Sequence, residues 1–333
     1  MIDVAILGAG VSGLTAAWRL RAAGLHVEVF EARDRLGGRA WTHDGFDLGA
    51  TWVWDTETHI HALLEELGVD TFAPATNGLD TFDDGTVQRG RLPQSAVPER
   101  RIRGGMAALV KALATKAGPV HQSHAVQGLR ATPDGVSVVL ADRSVTARHV
   151  VAALPPSLVA PWLTNDDGAL LAHVPVWMGT IAKCVGVFDR PVWQDQGLSG
   201  RAFSRVGPMA EIHDLSGDAG PALFGFAPQT DSVDLETRVP DQFERLFGAR
   251  PSRLVVQRWW DEPLTTAGGR EDQRLFGHAA LRHPLLDGRL HLISCETSGV
   301  SPGHLDGAVE RAETVSRRIM GSQPGVPASP KSP

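Results

Sequence analysis

The 333-residue chain contains no tyrosine, which excludes any mechanism that needs a phenol. It has only two cysteines, Cys184 and Cys295, far apart in the sequence. Two thiols so placed form neither a disulfide framework nor a cysteine-rich metal site, and the expectation is a reduced, cytoplasmic protein. No stretch approaches the ~20 consecutive apolar residues that span a bilayer, so no membrane association is expected. A basic excess is lacking too: 32 Lys+Arg stand against 38 Asp+Glu, a formal net charge of −6. That balance argues against a nucleic-acid partner. His59/His61 and His121/His124 have no carboxylate or cysteine pattern that implies a metal, and none is expected. Ser298 and Ser301 lack the context of a nucleophile elbow, so hydrolase chemistry is not expected.

What the chain has in quantity is glycine (36), proline (22) and apolar residues (42%), enough for a large core with many turns. Ile2 to Leu7 is a short apolar run ending at glycines, which reads as a buried parallel strand. Asp3 stands where a signal peptide would carry a basic region, so this run reads as the first strand of the fold. Val11 to Ala23 has helical periodicity and stops at Gly24, and His26 to Phe30 is a second β-branched run. Together they make one βαβ unit. Helices are expected over 59–67, 105–116, 231–247 and 303–320. Hairpins are expected at Asp83-Asp84-Gly85 and Pro133-Asp134-Gly135, and strands over 149–153, 180–188, 202–206, 210–214, 222–226, 254–260 and 290–294. Ser322 to Pro333 is too rich in proline and serine to bury a core and is expected to be disordered.

Gly8-Ala9-Gly10-Val11-Ser12-Gly13 fits G-x-G-x-x-G between a strand and a helix. Gly8 permits the tight turn, Gly10 lets the backbone approach a pyrophosphate, and Gly13 lets helix and strand pack closely. The helix start, with Ser12, offers free N–H groups and a positive dipole end to phosphates. Glu31, at the end of the second strand, is the acid expected on the adenosine ribose. A second glycine pair, Gly37-Gly38, follows with Arg33 and Arg39 on either side. That is unnecessary for NAD and suits a longer dinucleotide, with an arginine bonding its phosphate.

The stretch Arg35-Leu36-Gly37-Gly38-Arg39-Ala40-Trp41-Thr42 resembles the early signature of the flavin-containing amine oxidase family, monoamine oxidases included. The likeness recurs downstream. Phe46-Asp47-Leu48-Gly49-Ala50-Thr51-Trp52 is similar to a second flavin-contacting stretch, and Ile102-Arg103-Gly104-Gly105-Met106 to a Gly-Gly turn before a helix. Leu154-Pro155-Pro156 resembles a strand-end turn, and Ser294 through Val309 the closing flavin motif.

The resemblance implies FAD, contacted by Gly49, Ala50, Thr51, Trp52, Val126, Trp259, Glu296, Gly303, His304 and Leu305 in addition to the residues above. Glu296 would hold a hydroxyl, and the helix start near Gly303 would face the flavin's N1–C2=O edge. Lys183 is similar to the family's lysine that reaches flavin N5 through a water. The positions of the family's two substrate-facing aromatic rings are taken here by Glu271 and His304. Lys183, Glu271 and His304 are therefore the candidate catalytic residues, with Glu271 able to pair with an ammonium. Arg270 stands where some members attach flavin through cysteine, so non-covalent FAD is expected. Only Arg89 to Arg101 replaces the family's helical substrate subdomain, which implies a shallower, more open site.

The expected fold is α/β: a Rossmann-like FAD-binding domain, glutathione-reductase-like or hydroxylase-like, with a second, mixed or antiparallel sheet as substrate domain. The expected boundaries are 1–75, 102–160 and 251–321 for the first and 76–101 and 161–250 for the second. The expected reaction moves hydride from a carbon next to nitrogen to FAD, with O2 as acceptor and H2O2 as product. The alternatives are dehydrogenation or isomerisation at a C–C or ring bond of a bulky substrate, and a redox-inactive flavoprotein scaffold. A homodimer is compatible with the open site.

Overall fold

The computed structural model describes residues 1–91, 93, 97–229, 234–269 and 271–321. The expectations for residues 322–333, for Arg270 and for residues 231–233 fall outside these.

The apolar run Ile2–Leu7 is buried on both faces, as a central parallel strand requires. Val4 and Ile6 enter one core and Ala5 and Leu7 the other. The strand lies between Val27–Phe30 and Ser144–Ala152, parallel to both. Ser144–Ala152 has a second edge that serves two partners. Its first half pairs antiparallel with Gly135–Val139, and its last three residues pair parallel with Leu290–Leu292. Gly128–Thr132 completes the six-stranded sheet. The helices Val11–Ala22, Thr58–Leu67, Gly105–Ala117 and Leu305–Gly321 bury their apolar faces in one core. Residues 159–174 and 281–292 contribute to the core on the opposite side.

A second sheet has seven strands in the order Arg253–Arg258, Ile181–Val187, Ala222–Pro228, Glu211–Asp214, Leu198–Ser204, Leu79–Asp83 and Val87–Gly90. It is antiparallel except for the parallel pair of Leu198–Ser204 with Leu79–Asp83. Strand alternation gives it two different faces. Ala182 and Cys184 point to the helix Leu235–Phe247. Val185, with Phe224 from the next strand, points to Phe46, Leu48 and Trp52. Lys183 lies on this second face.

Two boundaries differ from the sequence reading. Arg253–Arg258 hydrogen-bonds along Ile181–Val187, so it belongs to the seven-stranded sheet and not to the nucleotide-binding unit. Glu99–Ile102 pairs instead with Trp52–Trp54 and Thr71–Phe72. Both are short apolar or mixed segments, whose partners no local pattern specifies. The architecture is α/β, a Rossmann-like unit beside a mixed sheet.

Candidate active site

The first turn is built as the glycines require. Gly8 has φ +94°, a conformation that favours glycine. A Cβ on Gly13 would stand 2.0 Å from the Gly8 carbonyl oxygen, so helix and strand meet only because no side chain intervenes. Glu31 ties the turn down: its carboxylate accepts from the Ala9 N–H at 2.8 Å and from the Arg33 N–H at 2.9 Å. The second glycine pair docks on the first, with the Gly37 N–H donating to the Ala9 carbonyl at 2.9 Å. Beside Gly10 and Gly38 there is room: the nearest atom to a Cβ on Gly10 is the Gly37 oxygen at 3.8 Å. The helix Val11–Ala22 opens here with no side-chain cap and no acidic residue in its first turn. A helix start without a side-chain cap, its positive dipole end and the room beside the glycines fit a pyrophosphate.

These elements wall a cleft of about 270 Å³. Gly8, Gly10, Ser12, Glu31, Arg33, Gly37, Gly38 and Arg39 line it at one side. Ala50, Val126, Gly303, His304 and Leu305 line it elsewhere, so both glycine turns and the start of the terminal helix share one space. Gly13, Gly49, Thr51, Trp52, Trp259, Glu296, Lys183 and Glu271 are not on its wall. Most of these support it. Trp259 is fully buried and donates from Nε1 to the Leu48 carbonyl at 2.9 Å. A Cβ on Gly49 would lie 1.8 Å from the Arg39 carbonyl oxygen, so this segment is threaded tightly against the second glycine turn.

The two cleft arginines are already paired. Arg33 meets Glu262 at 2.6 Å. Arg39 holds Glu296 through both guanidinium nitrogens and lies 3.4 Å from the Cys295 sulfur. Burial alone would push Glu296 up; the Arg39 charge overrides it and keeps the carboxylate ionised below its ordinary range. Arg39 and Glu296 were expected to bind phosphate and a hydroxyl separately, yet here each is the other's partner.

Lys183 is fully buried. Its ammonium nitrogen donates to the Gly49 carbonyl at 3.0 Å and to the Thr51 hydroxyl, and sits 4.2 Å over the Phe224 ring. Burial lowers its pKa to about 7; Asp47 opposes this and Arg101 adds to it. Asp47 in turn accepts from the Met106 N–H at 2.9 Å and the Thr42 hydroxyl at 2.6 Å, capping the helix Gly105–Ala117 from outside. Glu271 accepts the Val176 N–H at 3.0 Å. Its carboxylate thus braces the segment before Met178, which lines the cleft.

His304 is the one candidate catalytic side chain on the cleft wall. Its Nδ1 lies 2.6 Å from Glu57 Oε1, and its ring 4.8 Å from that of Trp54. Glu57 is buried and also accepts the Trp54 N–H at 2.9 Å. Sequence reading missed Glu57, which lies just before a helix and far in sequence from its partner. It also gave no task to Asp306, a buried carboxylate that accepts from the His59 and Ile60 N–H groups at 2.7 and 3.0 Å. Only the acid placed four residues into the closing helical pattern hinted at it.

The chain matches the family model for flavin containing amine oxidoreductase in two stretches, residues 11–95 and 85–320. It is similar to a probable flavin-containing monoamine oxidase A of Dictyostelium discoideum, 22% identical across an alignment 452 positions long, gaps included, that covers 96% of this chain and 97% of that one. It is 26% identical to a putrescine oxidase of Kocuria rosea across an alignment 369 positions long, gaps included, that covers 74% of this chain and 77% of that one. Among solved structures, cyclohexylamine oxidase from Brevibacterium oxydans IH-35A superposes with a TM-score of 0.84 at 21% identity, covering 96% of this chain and 99% of that one. Wild-type putrescine oxidase bound to putrescine gives 0.84 at 22% identity, with the same coverage. The twin glycine turns, the acid at the second strand's end and the match along nearly the whole chain agree: this protein belongs to the flavin containing amine oxidoreductase family.

Proposed function

We propose that this FAD-dependent oxidoreductase oxidises a small amine with non-covalently held FAD and molecular oxygen, releasing hydrogen peroxide. The observation that carries the reading is the single cleft joining the uncapped helix start at Gly10–Ser12, Glu31, the second glycine turn and the terminal helix start. When bound, the flavin supplies the two-electron oxidation of a carbon bearing nitrogen. The chain's own residues bind and orient. The uncapped helix start offers N–H donors for phosphate, and Glu31 offers acceptor lone pairs for ribose hydroxyls. Lys183 presents an amine that is half-neutral near pH 7, placed on the face of the second sheet that meets the cleft-supporting segment.

Non-covalent attachment is supported by the thiols. Burial pushes Cys184 and Cys295 both up to about 12, so neither is a ready thiolate. Among the described residues no helix is long and apolar enough to cross a membrane. The test is twofold. The absorption spectrum before and after acid precipitation should show flavin released to the supernatant. Peroxide formation should follow addition of amines in air; a yellow protein that makes peroxide with none of a broad amine panel would overturn the reading. Half-exposed Trp177, with Phe226 5.6 Å away, leaves an open aromatic surface that also suits dehydrogenation of a bulky ring. Turnover of dihydro-aromatic compounds in place of amines would favour that alternative.

A further inference from the structure

We propose that His304 is the proton acceptor for the substrate's ammonium group, with Glu57 as its positioning residue. The inference rests on the amine-oxidase reading above. Oxidation at a carbon next to nitrogen draws on the nitrogen lone pair, and an amine near neutral pH carries a proton there. A base beside the cleft is therefore needed, and the structure offers few. Lys183 is sequestered between Gly49 and Thr51, away from the cleft wall. Glu271 is bound to the Val176 N–H. Glu262 and Glu296 are paired with Arg33 and Arg39. Two histidines line the cleft: His124 sits beside Glu31, whose carbonyl accepts its N–H, at the end that fits the nucleotide, whereas His304 stands at the start of the terminal helix with a ring nitrogen, Nε2, that has no hydrogen-bond partner among the described residues.

The ring is held on two sides. Glu57 fixes Nδ1 at 2.6 Å, and Trp54 packs against the ring at 4.8 Å and 37°. A carboxylate on Nδ1 sets the tautomer that leaves Nε2 as acceptor and steadies the imidazolium once it forms. The charged groups that act on it are Glu57, from the turn before Thr58–Leu67, and Asp306, two residues on in the terminal helix; His61 is tied to Trp54, its Nε2 3.0 Å from the Trp54 carbonyl. The Glu57 hydrogen bond raises the His304 pKa against the opposing effect of burial, and the Glu57 and Asp306 charges add to the rise. The step is a proton transfer only: the ammonium N–H bond breaks, its electron pair stays on nitrogen, and the proton goes to Nε2. With its side chain 46% exposed, His304 can return the proton to water.

The test uses the flavin-loaded protein with benzylamine, cyclohexylamine and putrescine, and follows kcat/KM against pH. His304→Asn should lower kcat/KM about 100-fold at neutral pH, with the deficit closing towards pH 10 as free amine becomes abundant. Glu57→Gln should move the acidic limb of the profile, and the His304 resonance titration in NMR, to lower pH. A purely structural staple would give neither pH signature. Turnover with a His304→Asn profile parallel to wild type, or an unmoved resonance in Glu57→Gln, overturns the inference alone. Flavin-loaded protein that oxidises none of the three amines overturns the amine-oxidase reading, and this inference with it.

Discussion

Lys183 puts a primary amine where its only hydrogen-bond partners among the described residues are a carbonyl and a hydroxyl, and this has a consequence for stability. In the unfolded chain a lysine titrates near 10.4, whereas burial holds Lys183 at about 7. Between these values the unfolded state binds the proton that the folded state releases. Stability therefore rises with pH across that window, by at most ~1.4 kcal/mol per pH unit from this group. Lys183→Met should flatten the pH dependence of Tm above about pH 7; melting curves that stay parallel to wild type from neutral to alkaline pH would sink this account. If Lys183 also serves oxygen, the same variant slows peroxide formation. Glu31→Ala removes the acceptor of two backbone N–H groups and the expected ribose contact, a loss of about 1.5–3 kcal/mol and so of roughly tenfold or more in FAD affinity. Bound flavin after dialysis, measured by absorbance, checks it. At this scale the sequence was a good guide wherever backbone geometry demands glycine: Gly8, Gly37 and Gly38 all have positive φ. It was a poor guide to Glu271 and Glu57, whose partners lie 95 and 247 positions away and leave no local pattern.

The helices of the first unit are capped by one another's neighbours more than by their own residues. Thr58–Leu67 has no side-chain cap of its own, yet Asp306 from the terminal helix region bonds its first free N–H groups. Gly105–Ala117 likewise takes Asp47 and Thr42. Such caps weld elements together as well as satisfying their ends. Asp306→Ala strands two N–H groups and the Ser301 hydroxyl and should cost about 2–4 kcal/mol. Asp306→Asn, which keeps one acceptor, should cost less; equal denaturation midpoints for the two variants would argue against the cap. Most of these elements were legible from periodicity and turn residues, such as the left-handed Gly68 that ends Thr58–Leu67. The strand Arg253–Arg258 was placed in the wrong sheet because its pairing depends on Ile181–Val187, far away in the chain.

For the molecule as a whole, the junction of Ser144–Ala152 with Leu290–Leu292 is where acid is expected to act. His291, buried there with its Nε2 3.4 Å from His149 Nδ1, is held down to about 3 by burial, with His149, Arg318 and Arg311 adding to the effect. An unfolded histidine protonates near 6.5. The unfolded state thus binds the extra proton as pH falls, and stability drains away from about 6.5 towards 3. His291→Leu should shift the acid-unfolding midpoint, followed by circular dichroism, to lower pH; an unchanged midpoint would place the acid sensitivity elsewhere.

The first strand runs through the middle of its sheet; the last strand closes the core on one side of that sheet and the terminal helix the core on the other. Both extremities of the described chain are therefore central. The two stretches of the family match meet and overlap over residues 85–95, which take in the sheet-edge strand Val87–Gly90 and stop short of Glu99–Ile102. An engineer seeking a smaller version could not trim inward from residue 2 or residue 321. That interior stretch is the place where length is adjustable, and a cut that ran on through Glu99–Ile102 would leave Trp52–Trp54, beside the proposed base, without its antiparallel neighbour.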